Sequence, residues 1–211
     1  LADEPTGNLD SRTGETEWTF TTGGRIDSPP TFYKGQLLFG CRDGYVYCLR
    51  AADGALAWRF RGARDARRIV ANGQVESASP IHGSVLVAQD IIYFAAGRSS
   101  YLDGGLYLYG LDVATGEIRH QTRLDGPQPD LGTPCDRAHE MDGSKNDILV
   151  SNGEKLFLTQ NVFDRQLNRL EAPKIAPWGA RKTDLHLVAT GGFLDDSGFD
   201  RLYWIYAERW P

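Results

Sequence analysis

The sequence has no Cys-Cys pair, no CxxC motif, no GxxxxGK[ST] loop and no long apolar run, and it carries only three cysteines and one methionine. Each absence removes a class of function. Cys41, Cys48 and Cys135 are an odd count without metal-ligand spacing, so neither a zinc site nor a dense disulfide framework is indicated. Without a glycine-rich phosphate cradle and its lysine, phosphoryl transfer has no scaffold. No apolar stretch reaches the roughly 18 residues of a membrane-spanning helix. A formal charge of -5 and a pI near 5.4 argue against nucleic acid or an anionic membrane as partner, since both demand clustered positive surface. The chain opens at Leu1 and its one methionine is Met141, so we expect the natural start to lie upstream and read nothing from the lack of a signal peptide.

What the sequence does have is aromatic and β-branched residues in short runs cut by turns. Residues 28–60, "SPPTFYKGQLLFGCRDGYVYCLRAADGALAWRF", contain four such runs, too short for helices and alternating by twos. We expect strands at 31–33, 36–41, 45–50 and 56–60, joined at Lys34-Gly35, Asp43-Gly44 and Asp53-Gly54, the last two being strong hairpin signals. Such a four-stranded antiparallel sheet cannot cover both its faces alone and needs copies of itself to stack against. If Asp43-Gly44 is a two-residue loop, Cys41 lies opposite Val46 with Cys48 on the same face, a diagonal relation of about 7–8 Å that favours free thiols over a disulfide.

Copies are present. "LDSRTGETEWTF", "LRAADGALAWRF" and "LDVATGEIRHQTRL" share a turn ending in glycine (Gly14, Gly54, Gly116) and, in the first two, a tryptophan four residues on (Trp18, Trp58). Gly14 and Gly54 are 40 positions apart, a propeller-blade period, while Gly116 follows after insertions. In each copy glycine supplies the positive φ of a tight turn and the tryptophan opens the outermost strand and packs between sheets. His120 stands in the tryptophan position of the third copy, as a packing substitute.

Repeat units are therefore expected over 25–61, 82–124, 146–170 and 186–211, an all-β propeller segment of about four four-stranded antiparallel blades within residues 10–211. Four irregular segments interrupt them, the last at residues 171–183. Residues 62–80 carry Arg64, Arg67 and Arg68, either an anion-recognition surface or a solvated loop. Residues 97–105 are a loop grown into the middle hairpin of the second unit, the kind of place where binding resides. Residues 125–145 are rich in Gly, Pro and Asp. Residues 147–158 form a hairpin around Asn152-Gly153, followed by a degenerate return.

The "DxxTGE…W" turn, the string "GGRIDSPPTFYKGQLLFGCRDGYVYCL" and the period together resemble the pyrroloquinoline quinone-like β-propeller repeat. That group includes quinoprotein alcohol dehydrogenases and the propeller lipoprotein of the outer-membrane β-barrel assembly machinery. "GQVESASPIHGSVLV" and "GFLDDSGFDRLYWIY" are similar to the large secreted propeller proteins of planctomycete-type bacteria. The resemblance implies a propeller fold and a periplasmic or other extracytoplasmic location. It also implies that active quinoproteins hold the quinone with calcium, an adjacent-cysteine disulfide and a facing tryptophan. No adjacent cysteines occur here, so pyrroloquinoline quinone and calcium enter only under an oxidoreductase alternative. Separately, Leu1 to Glu15, "LADEPTGNLDSRTGE", resembles the Walker B end and D-loop of ABC transporter ATPases, with Asp3, Glu4 and Asp10 at the matching positions. With no LSGGQ-like signature to accompany it, residues 1–9 read as a stray or fused segment.

Repeat geometry suggests a site. The first strand of each blade lines the channel, and the polar residues just before it should gather at one mouth: Asp27 with Ser28, His82, Asn146 with Asp147, and Asp184 with His186. Carboxylates and imidazoles there would take a hard cation, a transition metal or a polar ligand, or each Asp and Ser would satisfy its own turn. Arg98 and Asp103 are expected to pair across the grown loop at the same mouth. Asp195, Asp196 and Asp200 lack EF-hand spacing and read as turn caps, and His139 has no evident partner. The expected function is a non-catalytic module that recognises a protein or a small polar ligand. Exposed sheet edges of an incomplete ring are to be covered by further blades in cis or by self-association.

Overall fold

The computed structural model describes residues 17–71, 73–100, 102–126, 145–158 and 161–170, and the backbone of two strands at 187–189 and 204–206. The described elements are all strands. Thr31–Tyr33 (β1), Gln36–Gly40 (β2), Tyr45–Arg50 (β3) and Leu56–Arg61 (β4) form one antiparallel sheet in chain order. Arg68–Ala71 (β5) and Gln74–Ser77 (β6) form a separate hairpin. Leu86–Ala88 (β7), Ile91–Ala96 (β8), Leu106–Asp112 (β9) and Ile118–Leu124 (β10) make the second four-stranded sheet. Val150–Ser151 (β11), Leu156–Leu158 (β12), Asn161–Phe163 (β13) and Arg169–Leu170 (β14) make the third, so the degenerate return is two short strands that complete a sheet. Leu187–Ala189 (β15) pairs antiparallel with Trp204–Tyr206 (β16) inside the fourth expected unit.

Alternation along the strands explains how the sheets stack. In the first sheet Phe39, Tyr47 and Leu49 face Trp18, Phe20 and Ile26, while Leu38, Val46 and Cys48 face Ile92, Phe94 and Leu111 of the second. The other side of the second sheet, with Tyr93, Ala95, Leu106 and Leu108, packs on Leu149, Leu156, Leu158 and Phe163 of the third. A large apolar side chain buried in this way contributes about 1.5–3 kcal/mol. A one-residue slip in any strand would exchange the two clusters it serves, which pins the register.

The β2–β3 connection differs from expectation. Gly40 opposes Val46 and Leu38 opposes Cys48, so the register is one residue away from the expected one and the turn between the last paired positions holds five residues, 41–45, rather than two. Cys41 lies in that turn, its N–H donating to Tyr45 O at 3.0 Å. The two cysteines therefore sit on opposite faces of the sheet, in different clusters, not on one face as neighbours. Both are free and buried, and burial pushes each thiol up to about 12.

The repeated tryptophan and glycine form a joint between successive units. Trp18 Nε1 donates to Ala51 O and Trp58 Nε1 to Val113 O, each at 3.1 Å. Their rings lie on the glycine of the turn they reach. A Cβ on Gly54 would stand 2.4 Å from Trp18 Cε3, and one on Gly116 2.8 Å from Trp58 Cδ2. Both glycines have positive φ, 70° and 72°, so the position rejects other residues on two grounds. Gly14 lies outside the described residues.

Candidate functional site

The segments entering the inner strands and the inserted hairpin meet in a buried chain of alternating charges. Asp27, just before β1, accepts from Arg25 Nε at 2.6 Å and Arg42 Nε at 2.5 Å, and His82 Nδ1 lies 3.1 Å from the same oxygen as Arg42. Arg42 continues to Glu76 at 3.0 Å, and Glu76 binds Arg98 through its other oxygen. The Glu76 side chain is 1% exposed. Burial by itself would raise the Asp27 carboxyl, but the bonds from His82, Arg42 and Arg25 outweigh it and hold the group well below the usual carboxylate range. Burial likewise opposes the charge on Arg42, and Asp27 and Glu76 overcome it, leaving its pKa raised.

Local sequence sets this up through the 41–45 turn. Arg42 N–H donates to Arg25 O at 2.9 Å, and Arg42 O accepts from Ser77 N–H at 2.8 Å, so its backbone clamps the incoming chain on one side and β6 on the other. Asp43 caps the same turn, accepting from Tyr45 N–H at 3.0 Å, Tyr47 OH at 2.6 Å and Gly23 N–H at 3.0 Å. The hairpin follows the same logic: Ile69, Ala71, Gln74 and Glu76 share its inward face, and Glu76 is the group that reaches the arginines.

Of the residues singled out from sequence, Asp27 and His82 touch directly, and Arg98 joins them through Glu76 and Arg42. Asp147 is buried, with Oδ1 accepting from Ile148 N–H at 2.8 Å. Asn146 Nδ2 donates to Pro80 O, Ala95 O and Gly97 O, and its own N–H to Arg98 O, tying the third unit to the grown loop. Arg98 and Asp103 do not pair across their loop. Arg98 turns inward to Glu76, where a buried carboxylate waits, and Asp103 binds Arg67 of the inserted segment. Arg67 is thus spoken for, while Arg64 lies against Gly104, whose carbonyl accepts from Arg123 Nε at 2.7 Å. The grown loop also meets the described ends of the third irregular segment, through Gly126 N–H to Ser100 O at 3.0 Å and a bridge from Ser99 to Lys145. His186, Asp184, His139, Cys135, Asp195, Asp196 and Asp200 lie outside the described residues. In the next unit's turn, burial opposes ionisation of Asp164, but hydrogen bonds from Asn168 and Gln166 outweigh it and lower its pKa, with a smaller contribution from His120.

Sequence reasoning missed Arg42 and Glu76. The partners of Glu76 are 34 and 22 positions away, so no local pattern announces them. Among the described residues, no three His, Cys, Asp or Glu side chains are grouped so as to hold a metal ion, and no helix is long and apolar enough to cross a membrane.

Stacked four-stranded antiparallel sheets, joined tryptophan to glycine and with their inserted segments touching one another, define a propeller built of pyrroloquinoline quinone-like repeats. The chain belongs to the family described as outer membrane protein assembly factor BamB, which matches residues 6–160. The match begins inside the stretch that resembles an ATPase, and nothing in the comparisons supports that second resemblance. The computationally designed Ika4 protein is 13% identical with a TM-score of 0.53 and covers 92% of this chain and 99% of its own, which shows a shared fold. BamB from Moraxella catarrhalis is 14% identical with a TM-score of 0.46, over 77% of this chain and 41% of that one. The quinohemoprotein alcohol dehydrogenase from Comamonas testosteroni is 21% identical with a TM-score of 0.44, over 55% of this chain and 17% of that one. The chain thus spans about two fifths of the length of the Moraxella protein. No curated protein matches it.

Proposed function

We propose that this chain is a non-catalytic recognition or scaffolding module, the propeller segment of a larger bacterial protein that works outside the cytoplasm, where the family's outer-membrane members act. The observation that carries the reading is the internal neutralisation of the mouth. Asp27 and Glu76 are each held by two guanidiniums, so neither offers the open oxygens that a general base or a calcium ligand requires. A quinone with its calcium does not fit this donor set without displacing an arginine. We assign a small polar ligand to Asp27, His82, Arg98 and Asp147, with Asp103 and His186 as the remaining members that the sequence pattern adds. Phe32 on β1, 65% exposed, is where a further blade in cis or a second copy would pack.

The competing reading is a part of a quinoprotein-type oxidoreductase. The test adds pyrroloquinoline quinone and calcium to the full chain with a dye acceptor and a series of primary alcohols. The proposal expects dye reduction no faster than in the chain's absence. Turnover that depends on both additions would overturn it.

A further inference from the structure

We infer that the outward face of the β5–β6 hairpin is a docking surface for a short acidic segment of a partner protein, one carrying an aliphatic side chain between carboxylates. The inference rests on the recognition reading above and names the surface that would do the recognising.

A two-stranded ribbon is marginal in water without packing on at least one face. Here the inward face is secured by Glu76 between Arg42 and Arg98, and the ends by Ser77 N–H to Arg42 O and Ala78 N–H to Arg67 O. The ribbon is therefore fixed along its inward face and at its base, which leaves its outward face in a set position. Its outward face carries Arg68, Val70 and Val75. The two valines are directly opposite in the register, and they are 77% and 55% exposed. On the loop tied to the ribbon's base by Arg67 and Asp103, Leu102 is 53% exposed. Aliphatic side chains presented on a fixed scaffold and left in water mark a contact surface.

The charges say what kind of contact. Arg68 is exposed on the same face as the valines and Arg64 is exposed against Gly104, in the loop that carries Leu102, and neither forms an ion pair with a carboxylate among the described residues. Unpaired guanidiniums in a chain whose net charge is -5 form a local positive surface, complementary to carboxylates. An aliphatic group seated on Val70 and Val75, with flanking Asp or Glu reaching Arg64 and Arg68, satisfies both features at once.

A random-peptide display library selected on the immobilised full chain tests this, with enriched peptides then titrated by fluorescence anisotropy. Enrichment of Asp or Glu flanking Val, Ile or Leu is expected. Affinity should fall at least about tenfold in R64E/R68E and in V70D/V75D, and should weaken with added salt. V70T/V75T, which keeps the branched shape, serves as the check should the aspartates disturb folding, and near-UV circular dichroism reports whether they do. Neutral or basic enriched peptides, or affinities unmoved by these changes, overturn the inference. So does a concentration-dependent dimer that V70D/V75D abolishes, which would make a second copy the occupant. Quinone-dependent turnover would sink the recognition reading itself, whereas failure of the peptide selection alone sinks only this surface.

Discussion

Replacing Glu76 with glutamine removes one charge from the buried chain while keeping its shape. Arg42 would retain Asp27, but Arg98 would lose its one carboxylate among the described residues and remain four-fifths buried. Breaking a buried ion pair from one side costs about 3–5 kcal/mol, and because the glutamine oxygen still accepts one bond the lower end applies, about 3 kcal/mol. The loss falls on the inserted hairpin, whose inward face depends on this residue. At about 1.4 kcal/mol per tenfold, the open population of residues 62–80 should rise by about two decades. Trypsin reads that population directly, because cleavage after Arg67 and Arg68 requires the ribbon to open. The expected result is roughly a hundredfold faster cleavage there in E76Q. Partial recovery is expected in E76Q/R98M, where no uncompensated cation remains. Cleavage within threefold of the parent would refute the idea that Glu76 anchors the hairpin.

Two further outcomes test the framework. Alanine at Gly35, where a Cβ meets open space at φ 79°, should cost about 1–2 kcal/mol for backbone conformation alone. At Gly54 or Gly116 the same change adds a collision with tryptophan, so thermal melting should drop at least twice as far, and equal losses at the three positions would show that the rings do not sit there. Asp27 ionises in the folded chain well below its ordinary value of 3.8. Its stabilisation is therefore complete above about pH 4 and is lost as pH falls further, when the unfolded chain takes up a proton that the folded one refuses. Acid titration followed by tryptophan fluorescence should be less steep below pH 4 for D27N, and superimposable curves would contradict the sign.

The first sheet was readable almost to the residue because its Gly turns and alternating aromatics are local signals. The Cys41 placement failed because Asp43-Gly44 belongs to a longer turn than a two-residue loop, a distinction that depends on Arg42 engaging two distant segments. The β5–β6 hairpin had its own signal, an Asn72-Gly73 pair between Val70 and Val75, but the surrounding arginines drew the reading toward a loop. At the candidate site, repeat symmetry picked out Asp27 and His82, each just before a first strand, and the loop grown into the second unit picked out Arg98. Symmetry had no means of finding Glu76, which belongs to an insertion and to no repeat. Arg98 was paired with the wrong acid because sequence proximity favours Asp103, whereas burial favours the carboxylate that most needs compensation.

The tryptophan seat on the neighbouring glycine joins atoms 33 residues apart in one instance and 55 in the other, at the same 3.1 Å. Contour length between the two halves of the joint is therefore a free variable. A lineage carrying such a joint can splice new peptide between its bricks, try out what that peptide touches, and discard it again without re-laying the masonry.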